Sequence, residues 1–487
     1  MKNKIDRYKM KVNRGVLVVA TVVVLVAMLA LLDAASVQGL AEAGQNHGDL
    51  GRLQKALDKD GFDVTAGEAV VFNPANDWCK NNTDIEPMYA NTEPYFVLRV
   101  PKSATDPEPV IKFQMRADEA IVIVGLTPPP EKYFGFYPFL ATKVYPDGER
   151  KPSMINLVDA VNNATIQTLG STPFNSPVAL IFTPDKGTDA RIRAALLRAG
   201  YPEAIINTVV FPASMLNLGY GETADEFWIH MRNLVWQNQA DGDAYIANPP
   251  LQVFRVTPRT PADPDPFPMP RLRVKGTGQT EMGLLNKLTE LRASIIAANS
   301  GLYATDLLSK PAIGAEYDSY DNLQREINVL GDARDGFFLN AGYIPEFGTS
   351  DEVKLADDEF LMVYGANHVA TGKTAYMSIN FYSSNVGRLS IGTVLDDKLP
   401  GTATPYLPDG DPAADLMYAY KVSRNCESEP NCLQLSIEDC SRLTIDANTV
   451  LGIIFRMYLE PTTGVGAANG EVLFDRVLKF SPRVPQP

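Results

Sequence analysis

Residues 15–32, GVLVVATVVVLVAMLALL, are eighteen successive positions without a charge, and they decide in which compartment, under which redox chemistry, the rest of the chain folds. At about 1.5 Å per residue such a helix reaches roughly 27 Å, close to a hydrocarbon core of ~30 Å, whereas the apolar part of a secretory signal usually runs ~7–15 residues. Length therefore argues for a retained anchor. The small residues of Ala34-Ala35-Ser36 and Ala41-Glu42-Ala43 and the Val/Ala-rich texture argue for cleavage, so residues 1–35 read either as a signal peptide or as an N-terminal membrane anchor. Lys2, Lys4, Arg7, Lys9, Lys11 and Arg14 against Asp6 give the head a net +5, which holds it in the cytoplasm and places the remainder of the chain outside: secreted, periplasmic or anchored by this segment. The first cysteine, Cys79, lies too far downstream for a lipoprotein anchor.

With the head set aside from the whole-chain −14, the exported part carries −19. Nucleic acid is excluded as a partner on that charge, and contact with a membrane is expected only through residues 15–32. A hydrophobic share of 45% with 21% charged residues is that of a chain that buries a core. Four cysteines in an oxidising compartment imply disulfides, and Cys426, Cys432 and Cys440 stand close enough for a local bridge. Three connectivities are open to four cysteines. The expectation is one bridge within that trio, with Cys79 either tying the first half of the chain to the remaining cysteine or staying a buried thiol. Zinc is the poorer reading, because no CxxC pair occurs and His47, His230 and His368 are scattered.

Hydrophobic periodicity sets an α+β expectation in two domains, a mixed α/β sheet domain followed by a β-rich domain with two N-terminal helices. A tether and short helix occupy 36–59, where Leu50, Leu53 and Leu57 fall at helical spacing ahead of Gly61. The α+β domain spans 60–257. Its strands are EAVVF, PYFVLRV (94–100), VIKFQM (110–115), EAIVIVG (119–125) and LQVFRV (251–256), and 176–211 reads as a β-α-β unit whose helix ends at Gly200. Phe227, Trp228, Met231, Leu234 and Val235 form an apolar stripe that predicts a helix over 223–236. A Pro-rich linker covers 258–272, with six prolines between 257 and 270 keeping the chain extended. Residues 273–487 carry a helix over 280–298, a shorter one over 316–329, and six strands from 358 onward that suggest a sandwich or an antiparallel sheet.

Compact catalytic signatures are missing: no GxSxG, SxxK or HExxH occurs. GANHVATGKT (365–374) ends like a phosphate loop, yet Asn367 stands where the pattern requires glycine and the following residues alternate like a strand. In KGTG (275–278), Glu281 replaces the third glycine of a dinucleotide turn and would repel a pyrophosphate. His368 is the candidate general base, although no carboxylate accompanies it in sequence. His230 reads as a packed side chain at the edge of the 223–236 stripe. Asp241 and Asp243 are acidic loop positions, and Asp409, Asp411 and Asp415 in PDGDPAAD are candidate metal ligands, with calcium as the cation, against a simpler role in turn chemistry. No other cofactor is expected. The preferred function is a non-catalytic binding or interaction protein, exported or envelope-tethered, of unknown ligand or protein partner. Tyr364, Tyr376, Tyr382, Tyr418 and Tyr420 are its candidate recognition face. The alternative is an extracytoplasmic hydrolase using carboxylates with His368.

Overall fold

Runs of β-branched and aromatic residues, closed by Gly, Pro or Asp, become strands along most of the chain. The computed structural model describes residues 47–84, 87, 95–331 and 333–483, so the apolar stretch 15–32, the tether over 36–46 and their flanking residues lie outside it. The fold is mixed α+β and dominated by several sheets. No helix among the described residues is long and apolar enough to cross a membrane.

The first half contains α1 (His47–Lys59), β1 (Phe62–Phe72), α2 (Pro74–Cys79), β2 (Tyr95–Pro101), β3 (Pro109–Val110), β4 (Ala120–Leu126) and β5 (Glu131–Val144). It continues with β6 (Arg150–Asn156), β7 (Val161–Asn162), β8 (Pro177–Thr183), α3 (Lys186–Ala199), β9 (Ile206–Val210), β10 (Glu226–Trp236), α4 (Gln239–Ala247) and β11 (Leu251–Pro258). Its strands make one sheet in the order β6-β5-β10-β2-β1-β11-β4-β8-β9, with β3 beside β2 and β7 beside β5. β1 is the hinge between two wings: Phe62 to Gly67 pair with β11 and Glu68 to Phe72 with β2. A Cβ at Gly67 would stand 2.6 Å from the Arg99 carbonyl, so only glycine lets the backbones come this close. Phe96, Phe134, Phe136, Ile229 and Met231 of one wing pack against Ile121, Ile123, Leu180 and Val253 of the other. The outer face of the β11-β4-β8-β9 wing is covered by α1 and α3 through Leu53, Leu57, Ile192 and Leu196.

The β-α-β unit stands as β8, α3 and a parallel β9, with Asp185 capping the helix start and Gly200 in the left-handed region at its end. Two expectations are corrected here. Residues 226–236 form β10 and not a helix, because this segment pairs with β5 on one side and β2 on the other while its two faces pack into separate apolar clusters. VIKFQM is not a regular strand: Val110 pairs with Val100, and beyond it only Phe113 bridges to Phe227. The Pro-rich stretch has no regular secondary structure and is hydrogen-bonded along the β8–α3 turn. Lys186 N–H donates to the Asp265 carbonyl (2.8 Å), Phe267 N–H to the Pro184 carbonyl (2.9 Å), and Ala262 N–H to Asp118 Oδ2 (3.2 Å).

The second half adds α5 (Leu285–Ala298), β12 (Leu302–Leu308), β13 (Lys310–Pro311), α6 (Ser319–Gln324), β14 (Gly336–Ile344), β15 (Thr349–Ser350), β16 (Phe360–Ala366) and β17 (Tyr376–Ser383). The last strands are β18 (Ser390–Leu395), β19 (Met417–Ser423), β20 (Cys432–Gln434), β21 (Leu451–Tyr458) and β22 (Arg476–Pro482). A five-stranded sheet, β12-β22-β16-β19-β20, faces a six-stranded one, β13-β14-β21-β17-β18 with β15 beside β14. Leu361, Val363, Val422 and Val477 meet Leu339, Ile379, Phe381, Ile453 and Phe455 between them, making a sandwich. α5 covers the outer face of the five-stranded sheet with Leu288, Leu291 and Ile295. The expected helix over 316–329 shrinks to α6.

Each half lends an element to the other. Ala75, Trp78 and Cys79 of α2 sit in the sandwich core, while Leu323 and Val329 sit in the core of the large sheet. Cys79 is bonded to Cys440, and Cys426 to Cys432. Two disulfides point to an oxidising, extracytoplasmic compartment.

Candidate functional site

On β10, the residues that alternate with its core-facing set point toward the six-stranded sheet. Trp228, His230 and Arg232 join Tyr95 and Val97 of β2 and Phe72 of β1 as one wall, and Phe338 and Asn340 of β14 with Ile454, Arg456 and Tyr458 of β21 form the other. Between these walls lies a cavity of about 190 Å³. That is below the roughly 300–1,000 Å³ of sites for drug-sized molecules, so it has room only for a small one.

The walls are aromatic, with polar groups at chosen points. Phe72 and Trp228 meet edge to face at 5.7 Å, and the His230 ring lies 4.8 Å from Phe139, 5.2 Å from Tyr137 and 5.9 Å from Tyr95. The Arg232 guanidinium sits 4.8 Å from the Tyr137 ring centre and 5.6 Å from that of Tyr458. It donates to Tyr458 Oη (3.2 Å) and to the Gly331 carbonyl (2.8 Å). Arg456 donates to Tyr382 Oη at 2.7 Å. Four residues around the cavity carry buried polar atoms without a hydrogen-bond partner among the described residues: Trp228 Nε1, His230 Nε2, Arg232 Nε, and both amide atoms of Asn340. His230 and Arg232 are each 8% exposed and Asn340 1%.

Electrostatics follow from that burial. Desolvation, and then the Arg232 charge, push His230 well below its ordinary range, so its imidazole is neutral. Burial works against the charge on Arg232, but Tyr458, Tyr137, Tyr95 and Asp335 outweigh it and raise the pKa. Behind the tyrosines, buried Asp335 accepts from Tyr133 (2.7 Å), Tyr137 (2.8 Å) and Asn162 (2.8 Å), with burial pushing its own pKa up.

None of the residues singled out in sequence as catalytic or metal-binding lines this cavity. His368 is fully buried in the second half, its Nδ1 2.8 and 2.9 Å from the two Glu281 oxygens and its Nε2 3.1 Å from Asp475 Oδ2. Carboxylates do accompany it, from 87 and 107 residues away, but the ring has no open lone pair and no accessible surface. The adjoining Lys373 is likewise enclosed, 2.6 Å from Glu471 and 3.0 Å from Glu460, which leaves no phosphate-loop lysine. The N–H groups of Thr277 and Gly278 do cradle an anion, the protein's own Glu471, at 3.0 and 2.6 Å. Asp411 accepts from Ala413 N–H (2.9 Å) and pairs with Lys287 (2.5 Å), a capping role, while Asp409 and Asp415 are exposed; no cluster fit for a metal occurs among the described residues. Asp241 and Asp243 lie on α4 and not in a loop. The tyrosines do not make one exposed face. Tyr364, Tyr376, Tyr382 and Tyr418 are buried, Tyr418 donating to Asp475 (2.7 Å), and Tyr420 is half-buried.

No family model matches the chain, and no curated protein matches it. Among solved structures, an uncharacterized protein from Burkholderia cenocepacia is similar at 12% identity and a TM-score of 0.38, over 91% of this chain and 94% of that one. The tandem CBM22 domains of Xyn10C from Paenibacillus barcinonensis align at 6% identity and a TM-score of 0.14, over 87% and 94% of the two chains. A truncated AlyQ with CBM32 and alginate lyase domains aligns at 9% and 0.13, over 87% and 98%. Scores this low assign neither fold nor function.

Proposed function

We propose that the chain is an exported or envelope-tethered, non-catalytic binding protein whose small ligand occupies the cavity between β10 and β21. The observation that carries this reading is the set of unpartnered polar atoms on Trp228, His230, Arg232 and Asn340 around one cavity. Each buried polar group left without a partner costs about 1–3 kcal/mol, and a ligand that supplied the missing bonds to several of them at once would remove that cost. The test is a thermal-shift screen of the detergent-solubilised full chain against organic acids, sugars, nucleotides, amino acids and short peptides. A ligand at a hundred times its Kd adds about 2.7 kcal/mol to stability, and the gain should vanish in Asn340→Leu. Turnover of ester, glycoside or peptide substrates by the purified chain would overturn the reading in favour of a hydrolase.

The proposed architecture keeps residues 1–35 as signal or anchor, 36–59 as tether and helix, and 60–257 and 273–487 as two units joined by 258–272. Brief proteolysis should then yield two fragments on a reducing gel, parting within 258–272. Cleavage first inside either unit would remove that boundary.

A further inference from the structure

Resting on that reading, we infer that the ligand is a small organic anion, an oxyanion group on a planar apolar body, read by Arg232. The exported part of the chain is strongly acidic, yet no residue lining the cavity is an aspartate or glutamate, while two are arginines. Arg232 is buried and has no carboxylate in ion-pair contact among the described residues. Asp335, which acts on Arg232 electrostatically without touching it, is already shared by Tyr133, Tyr137 and Asn162. The charge on Arg232 is therefore held by tyrosine hydroxyls and a carboxylate beyond ion-pair contact, and a bound oxyanion would give it the direct partner, and its Nε–H the acceptor, that the protein does not supply.

The unmade hydrogen bonds are mainly donors: Arg232 Nε–H, Trp228 Nε1–H and the Asn340 amide NH₂. Carboxylate and phosphate oxygens accept from such groups, and donation from a charged guanidinium to an anion is among the stronger hydrogen bonds proteins make. Around these donors, Phe72, Tyr95, Phe338 and Phe347 offer ring faces and edges to a flat body. A neutral sugar would fill the same aromatic space without bringing a charged acceptor to Arg232 Nε–H.

Matched probes decide the matter, by titration calorimetry and melting temperature on the full chain. Benzoate and phenyl phosphate are compared with benzamide and benzyl alcohol, indole-3-acetate with its amide, and glucose serves as the neutral sugar. At least one anion should raise the melting temperature and bind tenfold or more tightly than its neutral counterpart, and benzoate against phenyl phosphate separates the two oxyanion chemistries. Arg232→Gln should remove the tenfold preference; should it fold poorly, Arg232→Lys keeps the charge, lacks the Nε donor and should weaken the anion several-fold. Equal binding of acid and amide, preference for glucose, or no response to any probe at millimolar concentration overturns the anion assignment. The cavity reading falls separately, when no class in the broader screen responds or when Asn340→Leu leaves the response intact.

Discussion

A histidine held by a carboxylate at each ring nitrogen is a fixed cation. Burial disfavours the charge on His368, but Asp475 and Glu281 more than offset it and raise the pKa from 6.5 to about 10. Because the folded value lies above the unfolded one, the stabilisation is complete below about pH 6.5 and is lost as the pH climbs through about 10. Glu281 acts in the opposite direction. Its pKa is lowered, the His368 charge and its hydrogen bonds prevailing over burial, so its contribution is lost as the pH falls below its ordinary value of 4.5. Removing one member of a buried pair costs about 3–5 kcal/mol, so His368→Gln should lose that much at pH 6 in urea unfolding. The gap to the native protein should narrow toward pH 10; a gap that widened would mean the ring is not the cation. Gly365 serves the same cluster, since a Cβ there would collide with Asp475 Oδ1. Gly365→Ala should therefore lower the melting temperature and, by displacing Asp475, flatten the pH dependence attributed to His368.

β10 shows why an element can be visible in sequence and still be assigned the wrong period. Phe227, Ile229 and Met231 pack into the core of the large sheet, while Trp228, His230 and Arg232 line the cavity and Leu234 meets the second half. With both faces covered, the period of two that marks a half-exposed strand is erased, and what remains resembles a helical stripe. Met231→Ala should cost about 2–5 kcal/mol, as truncation in a packed core does. Trp228→Phe, on the cavity face, should cost under about 1 kcal/mol. Unfolding midpoints for the two variants in reverse order would mean the faces are exchanged. β5 escaped notice for a related reason: Gly135 and Pro138 interrupt its run. Pro138 accepts from Leu157 N–H and falls between the stretches paired to β7 and β6, so its missing N–H faces a gap in the ladder. The six late strands and the β-α-β unit were legible because local alternation and caps define them. The cavity was not, since its residues are contributed by β1, β2, β10, β14 and β21 and share no local spacing. The sign in sequence was a histidine, an arginine and an asparagine inside a run of large apolar residues.

At the scale of the whole molecule, the two halves are stitched by an exchange of elements and by Cys79–Cys440, a bond between residues 361 apart. On the loop-entropy account a crosslink this long stabilises by about 6 kcal/mol and one spanning six residues by about 2. The double variant Cys79→Ser with Cys440→Ser should thus lower the urea midpoint more than Cys426→Ser with Cys432→Ser. Equal losses would mean that the halves are held by packing alone.

The two bonds are also nested, the pair 426–432 lying inside the pair 79–440. A chain threaded outward from its N-terminus presents Cys79 first, and at roughly 5–20 residues per second its thiol waits tens of seconds for its partner. An oxidant that joins cysteines in order of appearance would link Cys79 to Cys426 and Cys432 to Cys440, both wrong. Under such an oxidant maturation requires thiol–disulfide exchange after the first oxidation, and cells deprived of a disulfide isomerase should accumulate the misbridged chain; unchanged levels of the native pairing would mean that folding precedes oxidation.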